Sequence, residues 1–249
     1  AILFVFMMRL ISPIVIIRLG KLDIGRIGGI IHSDWYLSQK ADGLHLGRYL
    51  DFFYFVKSTK HVNKQWLKMW KRALPTLAGS EIWNSVKWLN RLLPGYQKHE
   101  IPDTHVYPAM KNWQPQIADK FSGKIFKDDK LLNAVIKNKK QNITFSFEER
   151  EKGQRVLEEL EIPKDKDYIC FHARDSVYLD SVLPTMDWSY HDFRDSTIHN
   201  YIPAIEEMAN LGYYSIRMGA IVKEPVKTLN PLIIDYASSG MRTDFNDIY

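Results

Sequence analysis

Tyr168-Ile169-Cys170-Phe171-His172-Ala173-Arg174-Asp175 is the stretch that decides the fold of this chain. A short apolar run that stops on His, Arg and Asp reads as a buried strand ending at a site. In open α/β sheets, ligands sit outside the carboxyl ends of the strands. Charges buried there without partners are costly, so the cluster is expected to face a cleft or an anion. The planar fork of donors on Arg matches a phosphate. A phosphate-bearing ligand near Arg174 is therefore the first expectation.

The flanking sequence supports a parallel sheet. Ser146-Phe147-Glu148-Glu149 is a capping-box pattern that opens a helix running to about Glu161, ahead of Pro163. Beyond Asp175 a loop is expected over 176–190, followed by His191-Asp192-Phe193-Arg194-Asp195-Ser196. Asp195 or Ser196 is expected to cap the next helix, with Ile198, Ile202, Ile205, Met208 and Ala209 on its apolar face and Leu211-Gly212 at its end. Tyr213 to Gly219 and Leu232 to Tyr236 read as further strands. Strand, helix and strand at this spacing argue for right-handed crossovers. Arg174 then ends one strand, Arg194 precedes a helix start, and Arg217 nears the end of the next strand. Such ends gather at one sheet edge, and cations beside a helix N-terminus form an anion site. The competing reading pairs Arg174 and Arg194 with Asp175 and Asp195.

Toward the N-terminus, Ala1 to Ile17 is almost wholly apolar, broken by Arg9, Ser12 and Pro13. Crossing a bilayer takes ~20 apolar residues, so two readings stand: a membrane-associated helix followed by a buried strand, or a core segment throughout. Pro13 to Arg18 reads as a β-branched strand entering a glycine-rich stretch, Gly20 to Ile30. That stretch is either a nucleotide cradle or a tight turn with close helix–strand packing, and it lacks the spacing of either phosphate-binding glycine motif. Phe52 to Val56 is a second strand. Two helices follow. Val62, Trp66, Met69, Trp70, Ala73 and Leu74 form the apolar face of the first, and Ile82, Val86, Leu89 and Leu93 that of the second. The first of these helices either packs on a core or lies on an anionic membrane with its Trp residues among the headgroups. Residues 94–142 are Pro-interrupted and end in the basic run Lys137 to Lys140.

Composition narrows the class. The chain has 249 residues, 45% hydrophobic and 25% charged, which suits two ordinary domains. Its single cysteine excludes a disulfide framework and a Cys-rich zinc site, and fits a reducing compartment. Charge is uneven. Of the 34 Lys+Arg and 29 Asp+Glu, residues 1–142 hold 23 and 10, and residues 143–249 hold 11 and 19. The basic part suits a membrane surface or anionic substrates. It has no organised nucleic-acid motif, so nucleic acid is not an expected partner.

Three other chemistries have commoner structural alternatives in this sequence. Cys170 and His172 share a strand face, as a nucleophile and its base would, though a structural cysteine is commoner. His191, Asp195 and His199 are spaced by four, as metal ligands on one helix face are. Asp165-Lys166-Asp167 is a D-x-D triplet, but it precedes its strand instead of following it.

Over about residues 165–249 the chain resembles a family of bacterial glycosyltransferases encoded in surface-polysaccharide clusters. The residues that carry the likeness are Cys170 to Leu179, Tyr190 to Asp195, Tyr201-Ile202-Pro203-Ala204, Ile216 to Gly219, Ile233 to Ala237 and Arg242 to Phe245. Arg18 to Gln39 looks like the family's N-terminal segment, with Gly29 where that segment carries His. The His-x-Arg pattern is also similar to the donor motif of fucosyltransferases. The resemblance implies a GT-B-like architecture, with two Rossmann-like domains facing a cleft, and places Arg174 on a nucleotide-sugar diphosphate. Fixed cations would there stabilise the leaving group without a metal.

The expectation is then an α/β chain of three parts. Residues 1–12 are an apolar, membrane-associated segment. Residues 13–142 form a Rossmann-like acceptor domain, and 143–249 a Rossmann-like nucleotide-sugar domain, incomplete at its C-terminal end. His172, Arg174, Arg194 and Arg217 are expected at the diphosphate, with Asp175, Asp195, Ser196 and Gly219 at the site edge. Asp23, His32 and Asp34 are the candidates for the acceptor base. No metal or cofactor is expected, and the partners are a nucleotide-sugar donor and a saccharide or lipid-linked acceptor. The expected location is cytoplasmic, peripheral on the inner face of the membrane. The alternatives are a non-catalytic nucleotide- or anion-binding module and a Cys-dependent hydrolase.

Overall fold

Parallel strands build both parts of the chain, and helices lie on most of the connections between them. The computed structural model describes residues 1–22, 27–41, 43, 47–55, 63–101 and 141–249, and for residues 27–32 and 35 the backbone alone. It divides into two units, Ala1–Thr144 and Phe145–Tyr249. Among the described residues each carries a three-stranded, all-parallel sheet, so the chain is of the α/β class.

The first unit has strands β1 (Ile16–Leu22), β2 (Tyr49–Phe55) and β3 (Thr76–Leu77), in that order across the sheet. Side chains alternate between the sheet's faces, and each face has its own core. On one, Leu22 and Phe53 pack with Tyr36 of α2 (Ile27–Ala41) and Trp70 of α3 (Lys64–Ala73). On the other, Leu19 and Tyr54 pack with Val5 and Met8 of α1 (Ile2–Leu10) and Val86 of α4 (Ser80–Arg91). Helix α3 is capped by Asn63, whose side chain accepts from Trp66 N at 3.0 Å. Its Trp70 and Met69 are buried, so it packs on the core and its tryptophans do not face a headgroup layer.

Two sequence expectations change here. Strand β1 begins at Ile16, because the backbone after α1 first turns, with Ile14 N and Val15 N donating to Ile11 O. It then runs through Gly20-Lys21, which is therefore strand and no phosphate cradle. A Cβ at Gly20 would sit 2.7 Å from the Phe53 ring, so glycine serves close packing there. Asp51 lies inside β2, opposite Arg18, and the two form a bidentate pair at 2.6 Å that Tyr36 joins through its hydroxyl. Burial pushes the Asp51 carboxyl up, but the hydrogen bonds from Arg18 and Tyr36 outweigh it and hold the group below the usual range. Residues 23–26, which include Asp23 and Gly25, and the Pro-rich and basic stretch 102–140 lie outside the described residues.

The second unit opens with α5 (Phe147–Glu159), and its capping box is formed. Glu149 N donates to Ser146 Oγ at 3.3 Å, and Ser146 N to Glu149 Oε2 at 2.9 Å. The strands are β4 (Tyr168–Phe171), β5 (Tyr214–Arg217) and β6 (Ile233–Ile234), again in sequence order. Helix α5 covers one face, where Ile162, Ile216 and Tyr236 pack. Helix α7 (Ile202–Asn210) covers the other, with Ile205, Ala209 and Ile233. The expected loop after Asp175 contains a short helix, α6 (Val177–Val182), whose first amide donates to Asp175 Oδ1 at 3.2 Å. The turn leading into α7 is capped by Thr197 and not by Asp195 or Ser196. Asp195 is occupied by Arg174, and Ser196 N donates to Arg174 O at 2.8 Å. Residues 218–232 connect β5 to β6 without a helix.

Candidate functional site

Beyond the carboxyl ends of β4 and β5 lies a cleft of about 260 Å³, lined by Asp175, Ser176, Asp195 to Ile198, Arg217, Lys223 and Glu224. It stands where the strand-end rule places a ligand. Four expected site residues line it: Asp175, Asp195, Ser196 and Arg217. Four do not: His172, Arg174, Arg194 and Gly219.

Arg174 stands behind one wall. Its Nη1 donates to Asp195 Oδ1 in a close ion pair and to the His191 carbonyl at 3.0 Å. The competing reading from sequence is thus realised for this residue, with Asp195 and not Asp175 as the partner. The remaining guanidinium nitrogens make no hydrogen bond among the described residues. Arg194 is exposed at the end of the 3₁₀ turn Ser189–Arg194 and pairs with no acid there. The Nδ1–H of His172 donates to Met218 O at 3.2 Å, away from the cleft lining. Gly219 follows β5, and a Cβ on it would sit 2.6 Å from Val222.

Arg217 is the buried floor, 1% exposed. Its Nη1 donates to the Glu224 carbonyl and lies 3.5 Å from Asp235 Oδ2, which also accepts from Val226 N at 2.9 Å. Arg217 Nε and Asp235 Oδ1 have no partner among the described residues. Asp175 Oδ2 accepts from Lys223 N at 3.0 Å, so the connection after β5 is tied to the end of β4.

Charges in the cleft are mixed. The charge of Asp195 is offset by Arg174, and Asp175 is stabilised by two backbone amides. Glu224 and His199 meet at 3.2 Å at the rim. The ammonium of Lys223 makes no ion pair among the described residues. Carboxylates that accept from hydroxyls, and cations that donate to phosphate oxygens, therefore line the same small space.

Sequence reading missed Ser176, Thr197, Lys223 and Glu224. The signal was available in principle, since the segment after β5 emerges at the same sheet edge as the segment after β4. The metal spacing is not realised. Asp195 is extended, so no continuous α-helix carries His191 and His199 on one face. His191 stacks on Trp188, Asp195 pairs with Arg174, and His199 meets Glu224. Cys170 is exposed, and its thiol is pushed up by desolvation, opposite to an activated nucleophile.

Among the base candidates, Asp34 on α2 accepts from Asn142 Nδ2 at 2.9 Å, which ties residue 142 to the first unit. The side chain of His32 and all of Asp23 lie outside the described residues. No protein-family model, no curated protein and no solved structure matches this chain.

Proposed function

We propose that the chain is a GT-B-type glycosyltransferase built on two Rossmann-like domains, and that the cleft of the second unit receives the diphosphate and adjoining sugar of a nucleotide-sugar donor. The observation that carries the reading is the position and chemistry of the cleft. It opens beyond parallel strand ends, with Lys223 and Arg217 beside Asp175, Asp195 and the hydroxyls of Ser196 and Thr197. A nucleotide sugar presents both kinds of group, anionic phosphates and neutral hydroxyls. The volume is slightly below the ~300–1,000 Å³ of sites for whole drug-sized ligands, which suits a diphosphate with one ring. In the reaction, the bond from the anomeric carbon to the diphosphate oxygen breaks as the acceptor hydroxyl oxygen bonds to that carbon. The acceptor proton passes to a base. Negative charge collects on the departing diphosphate, where fixed cations lower the barrier. The acceptor is a saccharide, free or lipid-linked.

The test is binding followed by turnover. A ligand that binds only the folded state stabilises it by about 2.7 kcal/mol at a hundredfold excess over its Kd. UDP, GDP and their sugar conjugates are titrated against the full chain in thermal unfolding. Lys223→Ala removes a charge-assisted contact worth roughly 1.5–3 kcal/mol and should weaken the binding nucleotide by ~10- to 100-fold. Equal affinity in the variant, or no shift with any nucleotide, refutes the site. Saturable binding with no release of nucleoside diphosphate when saccharide acceptors are added favours a non-catalytic binding module.

A further inference from the structure

Helix α1 has two apolar faces, and the first unit covers one of them. Val5 and Met8 are buried, at 6% and 4% exposure, against Leu19, Tyr54 and Val86. On the opposite side Leu3, Phe6, Met7 and Leu10 are 68%, 62%, 51% and 66% exposed. Their spacing of three and four makes one continuous stripe along the helix. Ile14 beyond the helix, and Leu93 after α4, are exposed as well. Arg9 does not interrupt this surface. It turns to α4 and donates to Asn90 Oδ1 and to the carbonyls of Asn90, Leu93 and Pro94, capping the end of that helix. Soluble monomers seldom leave so many large apolar side chains together in water.

We infer that α1 and the turn after it dock on an anionic lipid surface, lying in the interface with the stripe Leu3-Phe6-Met7-Leu10 among the acyl chains. Charge selects this occupant. Two exposed cations close over the turn at the end of α1: Lys98 donates to Ser12 Oγ at 3.2 Å, and Arg48 to the Pro13 carbonyl at 2.9 Å. Residues 1–22 contain no Asp or Glu. Glu100, two positions after Lys98, is itself held by Arg91 and Lys87. An apolar stripe with a cationic collar matches phosphate-bearing headgroups above hydrocarbon. Helix α1 has nine residues, and among the described residues no helix is long and apolar enough to cross a membrane. The inferred contact is interfacial, with the exposed stripe along one face of α1. It does not rest on the sugar-transfer reading and uses none of the cleft residues.

The experiment is co-sedimentation of the full chain with vesicles of phosphatidylcholine plus phosphatidylglycerol, and with phosphatidylcholine alone. The protein should pellet with the mixed vesicles and far less with the neutral ones. The double change Arg48→Glu and Lys98→Glu should lower partitioning by at least ~20-fold, about fivefold for each cation lost near the surface. Phe6→Glu with Leu10→Glu should leave the far-UV spectrum and unfolding midpoint unchanged, since both side chains already face water, and should abolish pelleting. Wild-type protein that stays in the supernatant overturns the inference. So does equal pelleting of the variants, or a concentration-dependent dimer that Phe6→Glu dissolves, which would make a second copy the occupant.

Discussion

Replacing Arg217 by Met removes the floor of the cleft, and the expected cost can be worked from its partners. The guanidinium is almost fully buried, between the Glu224 carbonyl and Asp235, whose side chain is also mostly enclosed. Methionine fills the stem but leaves a carboxylate without its counter-charge, a change that costs roughly 3–5 kcal/mol. With a slope of about 2 kcal/mol per molar urea, the unfolding midpoint of this unit should fall by roughly 2 M. Hydrogen exchange of β4 and β5 peptides, followed along a urea titration of the full chain, reads that transition separately from the rest. Adding Asp235→Asn removes the stranded charge while keeping an acceptor for Val226 N, so the double variant should recover much of the loss. A single variant that loses less than about 1 kcal/mol, or a double variant no better than the single, would refute the claim that this pair is a mutually dependent buried charge pair.

Other perturbations test different parts of the structure. Glu161, just after α5, is the one described non-glycine residue with positive φ, at 60°; Glu161→Gly should stabilise the chain by about 1 kcal/mol in chemical denaturation. His99 is buried against the Ile17 carbonyl, and burial, aided by Lys98 and Arg9, holds its pKa below the usual 6.5. The unfolded chain therefore binds a proton more readily. The stability tied to neutral His99 is complete above pH 6.5 and is lost as the pH falls from there through the folded-state value. His99→Asn, which keeps a donor for that carbonyl, should flatten this part of the stability–pH curve measured between pH 7 and about 5; an unchanged slope would refute it.

What was legible in the sequence was local. The capping box at Ser146 and Glu149, the strand Tyr168–Phe171 and the stop at Gly212 each depend on residues within a few positions of one another. The parallel pairing of β4 and β5 followed from strand–helix spacing. The partner of Arg174 was harder to read, because Asp175 is adjacent in sequence while Asp195 reaches it only through the loop between them. Spacing also misled at His191, Asp195 and His199, where a break in helical geometry separates side chains that an unbroken α-helix would align. Arg9 looked like a flaw in an apolar segment, since its role depends on carbonyls more than eighty positions away. The two faces of α1 could not be told apart by composition, because both are apolar and only the packing distinguishes them.

The connection between β5 and β6 holds its place at the cleft by main-chain atoms. Lys223 is anchored by its amide and Glu224 by its carbonyl, and of the two side chains that of Lys223 makes no ion pair among the described residues while that of Glu224 meets His199 and Thr197. Position and chemical identity are thereby uncoupled. Descendants of this sequence can exchange the Lys223 side chain, and with it the charge offered to the cleft, without disturbing that anchor, much as a tool holder accepts different bits.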